Sequence, residues 1–171
     1  DLSVCGPLAR SAKDLEIALD VMAGPMERRS KGWQLNLAEC NKTSLKDFKV
    51  AIWSNDELAP VSKEIAQRCE EVGNKLNSVG TTVSFAAKPE HDFMKAEINY
   101  QLLLQSVMQS GLPEDEYQKI EELASSLDKN DLSVDAILAK GTVLSHRNWL
   151  RQNYAREQIK ISWSKFFEEW D

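Results

Sequence analysis

A chain of 171 residues with a formal net charge of −6, 42% hydrophobic and 28% charged, is long enough to bury a core and too apolar for disorder. The acidic balance argues against a nucleic acid or an anionic membrane surface as partner, and no apolar run approaches the ~20 residues of a membrane span. Cys5, Cys40 and Cys69 are far apart and lack C-x-x-C spacing, which suits three free thiols in a reducing, cytoplasmic setting. A single domain, residues 1–171, is the expected organisation.

The first organised stretch runs from Gly6-Pro7-Leu8-Ala9-Arg10-Ser11 to Gly24-Pro25. Pro7 fixes its own φ and Gly6 tolerates a tight bend. Ser11 and Asp14 fit the S-x-x-D capping pattern, with Ser11 as N-cap. Leu15, Ala18, Leu19 and Met22 share one stripe, and Gly24 with Pro25 stops the helix. The pattern predicts a half-buried helix over 12–23. Arg10, four residues before Asp14, is placed to brace the bend. Residues 26–46 lack a sustained period and read as a long connecting loop.

Phe48 to Trp53 reads as a strand apolar on both faces, as a central parallel strand would be. Asn55-Asp56 is turn chemistry at its end. Ile65, Cys69, Val72, Leu76 and Val79 recur at helical spacing, predicting a helix over 62–78 capped by Gly80. Thr82 to Ala86 alternates as a second strand. Strand, helix, strand is a βαβ unit, with parallel strands.

Four more helices are predicted. One covers 91–110, with Asp92 as N-cap and Gly111 and Pro113 as stop. The next covers 114–127, with Glu114, Asp115 and Glu116 at the positive end of its dipole and Tyr117, Ile120, Leu123 and Leu127 inward. A short helix over 132–140 is closed by Gly141. The last covers 142–170. It carries Trp149, Trp163 and Trp170 in a spacing of sevens with Arg156 in the missing position. Ile159, Phe166 and Phe167 widen that stripe, which must pack on this domain or on a partner. The fold class is α/β, helix-rich, with a small sheet containing the parallel βαβ unit.

Gly-Pro-Leu-Ala-Arg-Ser-x-x-Asp-Leu before an apolar helix ending in Ala-Gly-Pro resembles the amidase signature family. Two later stretches agree with it: Phe48-Lys49-Val50-Ala51-Ile52-Trp53 with Asp56 and Pro60-Val61-Ser62, and Trp163-Ser164-Lys165-Phe166-Phe167-Glu168-Glu169-Trp170-Asp171. The resemblance implies hydrolysis of an amide carbon–nitrogen bond by a nucleophilic serine, a second serine held by a cis peptide, and a lysine. It places those groups upstream of the Gly-Pro-Leu-Ala-Arg motif, in a Gly/Ser-rich segment and a preceding strand. This chain begins five residues before that motif and contains no Gly-Gly-Ser-Ser run. The expectation is therefore the post-catalytic part of an amidase fold, inactive alone, which supplies scaffold and pocket walls. The intact protein would take a small-molecule amide substrate. No catalytic, cofactor-binding or metal residue is assigned to this chain, and no cofactor is expected.

Each polar candidate has a plainer role. His91 and His146 lack metal-ligand spacing and suit helix starts or surface contacts. Ser145-His146 is adjacent in sequence, but a nucleophile–base pair is assembled from distant positions with a third orienting group. Ser11 is a cap, and Lys13 lies on a solvated face. Asp56, Glu57 and Asp92 sit at turns or helix starts, where carboxylates cap. Glu114 to Glu122 is a solvated acidic face. Gly80 stands alone, so no phosphate-cradling loop is present. By the family match Arg10 lies near the serine-bearing core, and bracing the bend is its favoured role over substrate contact. The competing reading is a non-catalytic interaction module that uses the aromatic face of the last helix, with self-association through exposed apolar surface.

Overall fold

The computed structural model describes residues 4–171. They form seven α-helices and a two-stranded parallel sheet, and the chain divides into two compact units after Asn41. No helix among the described residues is long and apolar enough to cross a membrane.

The first unit holds α1 (Ala12–Met22) and a single turn, α2 (Glu27–Ser30), which interrupts the stretch read as a loop. Ser11 caps α1 as expected: its Oγ accepts the Asp14 N–H at 3.1 Å. Gly24 takes φ +148°, a conformation open to glycine and strained for other residues. The expected half-burial is not seen. Leu15, Leu19 and Met22 are exposed, because no element within this unit faces the stripe. Arg10 is exposed and forms no ion pair with Asp14 among the described residues.

The second unit, Lys42–Asp171, contains the sheet and five helices. After a 3-10 turn at Leu45–Asp47 come β1 (Lys49–Ala51), α3 (Lys63–Ser78) and β2 (Thr82–Ser84). The strands pair in parallel, Lys49 with Thr82, Val50 with Val83 and Ala51 with Ser84. Hydrogen bonds from Thr82 N to Phe48 O and from Ile52 N to Ser84 O extend the ladder at both ends. On the other edge of β1, Asp171 N donates to Lys49 O at 2.9 Å and the Asp171 carboxylate accepts the Lys49 N–H at 2.9 Å. Lys42 pairs with the same carboxylate. β1 thus has bonded neighbours on both edges, as a central strand would.

α3 meets the sheet through Gly73, which is buried. A Cβ there would lie 2.4 Å from the Phe85 ring and 2.7 Å from Ile52 Cδ1, so only glycine lets the helix come this close. This shifts the helix from its predicted orientation. Cys69 and Leu76 are half-buried, while Ile65, Val72 and Val79 from the same predicted stripe are exposed. Gly80, at φ +94°, then turns the chain, with Gly80 N donating to Asn77 O and Thr81 N to Leu76 O.

Helices α4 (Phe93–Met108), α5 (Glu114–Ser126), α6 (Val134–Thr142) and α7 (His146–Phe166) supply the core. Leu103 of α4 and Ala136 and Ala139 of α6 are its buried apolar centre. Asn99, also buried, donates to Gln152 O and Oε1, both at 2.8 Å, and so ties α4 to α7. Leu123 of α5, expected inward, is 48% exposed. Gly141 does not close α6 as predicted; it lies inside the last turn. A Cβ there would meet Gln105 Cβ at 2.8 Å and the Leu102 backbone at 3.2 Å, so the glycine serves close packing against α4 and not termination. α7 is shorter than predicted at both ends: Ser145 caps its start by accepting the Asn148 N–H, and it stops at Phe166, with Phe167 as C-cap. Trp149, Arg156, Trp163 and Trp170 are all half-buried, so the seam of sevens faces the body of this unit.

Candidate functional site

In a parallel sheet the carboxyl ends of the strands are where side chains from successive loops converge. Trp53 and Asp56 follow β1 there, and Lys88, Glu90 and His91 follow β2. The Lys88 ammonium pairs with Asp56 Oδ2 at 2.9 Å and sits 4.6 Å from the Trp53 ring centroid. Trp53 Nε1 donates to the same Asp56 oxygen at 3.2 Å, and Leu58 N donates to the other at 3.1 Å. Phe93 meets Trp53 edge to face, with centroids 4.4 Å apart, and lies 4.4 Å from the His91 ring. Trp163 of α7 stands 6.1 Å beyond His91. Next to this cluster a cleft of about 580 Å³ runs between Ala87–Glu90 and the second half of α7, with Ser162, Lys165, Phe166 and Trp170 on its far wall.

The cluster contains one serine–histidine contact, His91 Nδ1 to Ser162 Oγ at 3.1 Å. Ser162 Oγ also donates to Glu90 O at 3.1 Å. A hydroxyl has one proton, and here the carbonyl takes it. With the hydroxyl hydrogen on Glu90 O, the tautomer that fits both contacts carries its hydrogen on His91 Nδ1 and donates to the serine. An imidazole that donates to the hydroxyl cannot be the base that deprotonates it. Of the two carboxylates that flank His91 in sequence, Glu90 is exposed, and Asp92 accepts the Lys95 N–H at 3.0 Å as helix cap and pairs with Lys95 Nζ. No third group among the described residues orients the imidazole. The pair fastens the β2–α4 loop to α7.

Burial pushes the His91 imidazole below its ordinary value, with the neighbouring Asp92 charge opposing. The hydrogen bond from Lys88, then the Leu58 N–H, hold the Asp56 carboxyl below the carboxylate norm. The Lys95 backbone N–H and then its side chain do the same for Asp92. A general acid needs a raised pKa, and both carboxyls move the other way.

The remaining candidates fall outside this cluster. Ser145 is a cap, and His146 stacks on Trp149 at 6.4 Å. Lys13 pairs with Glu16 at 2.8 Å on an exposed helix face. Glu57 is exposed. No group of three potential metal ligands exists among the described residues, and the cysteines are unpaired with one another. Sequence reasoning named Asp56, His91 and Asp92 but missed Lys88 and Ser162. The position of Lys88, shortly after the second strand of a parallel pair, was the available signal. Ser162 lies 71 positions from its partner inside a helix, and nothing local marks it.

The fold and this corner define a helix-rich α/β chain whose first strand is bonded by β2 on one edge and by Asp171 on the other. Comparison with known families makes the assignment: the family described as Amidase matches residues 1–171, and the chain belongs to it. Two similar curated proteins are each named as a component of glutamyl-tRNA(Gln) amidotransferase. The one from Saccharolobus solfataricus is 35% identical over 83 residues, 48% of this chain and 17% of the relative. The one from Sulfolobus acidocaldarius is 32% identical over 89 residues, 49% of this chain and 18% of the relative. The chain thus aligns with less than a fifth of the length of these relatives. No solved structure matches.

Proposed function

We propose that this chain is the scaffold-forming, post-catalytic portion of an amidase-like enzyme, and that it carries no hydrolytic centre of its own. The intact protein would cleave the carbon–nitrogen bond of a small amide. The names of the two relatives put amidotransfer beside simple hydrolysis as the form that reaction takes.

The observation that carries this reading is the proton inventory at Ser162. Ser162, the serine in hydrogen-bond contact with His91, donates to Glu90 O, and the tautomer that fits both contacts makes the histidine a donor toward it. The sequence contains no Gly-Gly-Ser-Ser run that could supply another centre. What the chain offers is walls: the cleft along α7, the Trp53–Phe93 pair and the Asp56–Lys88 bridge at the strand ends.

The test is ammonia release from a panel of aliphatic and aromatic primary amides by the purified 171-residue chain. No turnover above buffer is expected. Turnover that disappears in Ser162→Ala would overturn the reading.

A further inference from the structure

Helix α7 has a second face, opposite the tryptophan seam. Arg147, Leu150, Arg151, Tyr154, Gln158, Ile161 and Lys165 are all exposed and recur at spacings of three and four, with Arg151 directly after Leu150. The stripe is about 27 Å long at 1.5 Å per residue. Its apolar members are open: Tyr154 is 68% exposed, Leu150 51% and Ile161 47%.

The charge of this helix runs against the rest of the molecule. α7 holds five lysines and arginines and one glutamate, in a chain whose net charge is −6. Neither Arg147 nor Arg151 has a carboxylate partner among the described residues. The basic groups flank the apolar ones: Arg147 and Arg151 lie within two turns of Tyr154, and Lys165 one turn from Ile161. Tyrosine and arginine side by side on an accessible face are the residue types that dominate binding hot spots. At its C-terminal end the stripe runs into the cleft beside Ala87–Glu90, where Ile161 and Lys165 form one wall.

We infer that this face docks an acidic amphipathic helix of a partner protein. The apolar side of that helix would cover Leu150, Tyr154 and Ile161, and its carboxylates would meet Arg147 and Arg151. Lys88 and Lys165 balance Glu90 and Glu169 at the cleft end, so the unbalanced positive charge lies at Arg147 and Arg151, and the partner is acidic toward the start of α7. A polyanion such as RNA fits less well. The apolar centre gives phosphates nothing to bind, and the acidic remainder of the molecule repels them.

The probe is a fluorescein-labelled 20-residue peptide with leucine at i, i+3 and i+7 positions and glutamate on the flanks, titrated with the 171-residue chain by fluorescence anisotropy. Saturable micromolar binding is expected, weakened about tenfold by Tyr154→Ala and by Arg151→Glu. Both variants are at exposed positions, and circular dichroism checks that they stay folded. Absence of saturable binding overturns the inference. So does affinity unchanged in both variants, equal affinity for a glutamate peptide without leucine, or preferential binding of a single-stranded RNA of equal length.

Discussion

Helices α1 and α6 are close in length, 11 and 9 residues, and each starts at a serine cap, Ser11 and Ser133, but they are opposite in what they bury. α1 has a serine cap, an apolar stripe and a Gly-Pro stop, and it buries no residue. α6 has a shorter pattern that ends in a glycine, and it buries Ala136, Ala139 and Gly141. Caps and stops act over three or four residues and decide where a helix begins and ends. Burial needs an opposing surface, and α4 supplies one to α6 while nothing within the first unit supplies one to α1. The small residues of α6 are the means of approach: without side-chain bulk at 136, 139 and 141, α4 and α6 come close enough to bury Leu103.

The largest test of this contrast is Leu103→Ala. A buried leucine truncated in a packed core costs about 2–5 kcal/mol, readable as a lower midpoint in urea. An effect under about 1 kcal/mol would mean that the α4–α6 contact is not the core. Gly141→Ala comes next, at about 1–3 kcal/mol, since its methyl would press on the Leu102 backbone, which has little room to yield. Gly73→Ala should cost less. Its methyl would press on the ends of the Phe85 and Ile52 side chains, and Phe85 is 46% exposed and able to turn away. A reversed order between the two glycine variants would show that the sheet side is the stiffer region.

The pH dependence separates the regions further. His91 titrates below its ordinary 6.5 in the folded chain, so between the two values the unfolded chain binds the extra proton. Its contribution to stability is therefore full above about pH 6.5 and falls as pH drops toward the folded-state value. His91→Gln should flatten that slope. Asp56 and Asp92 are depressed carboxyls, so their contributions are present above about pH 3.8 and are lost only as pH falls below it. The smallest effect belongs to α1. Ser11→Ala should remove about 0.5–2 kcal/mol from that helix alone, seen as faster amide exchange over 12–22, with the urea midpoint of the second unit unchanged.

These elements also mark how far the sequence could be read. The caps at Ser11 and Asp92 and the parallel βαβ corner were legible, because each rests on short-range chemistry or on a clear change of period. Gly141 misled because a glycine after an apolar run looks like a stop, and only the facing Leu102 backbone shows otherwise. α3 misled for a related reason: Gly73 has no hydrophobicity to signal with, yet it sets which side of the helix meets the sheet. At the candidate site Asp56, His91 and Asp92 were visible as residue types. What Asp56 and His91 do there depends on Lys88 and Ser162, the first brought in across the sheet and the second across 71 positions of chain.

Active-site labelling tests the central claim most directly. The purified chain is incubated with a fluorophosphonate probe and every serine-containing peptide is read by mass spectrometry. The expected result is no adduct on any serine, Ser162 included, because its hydroxyl donates to Glu90 O and no third group among the described residues orients the His91 imidazole as a base toward it. A stoichiometric adduct on Ser162, or on any other serine, would contradict a frame without a nucleophile.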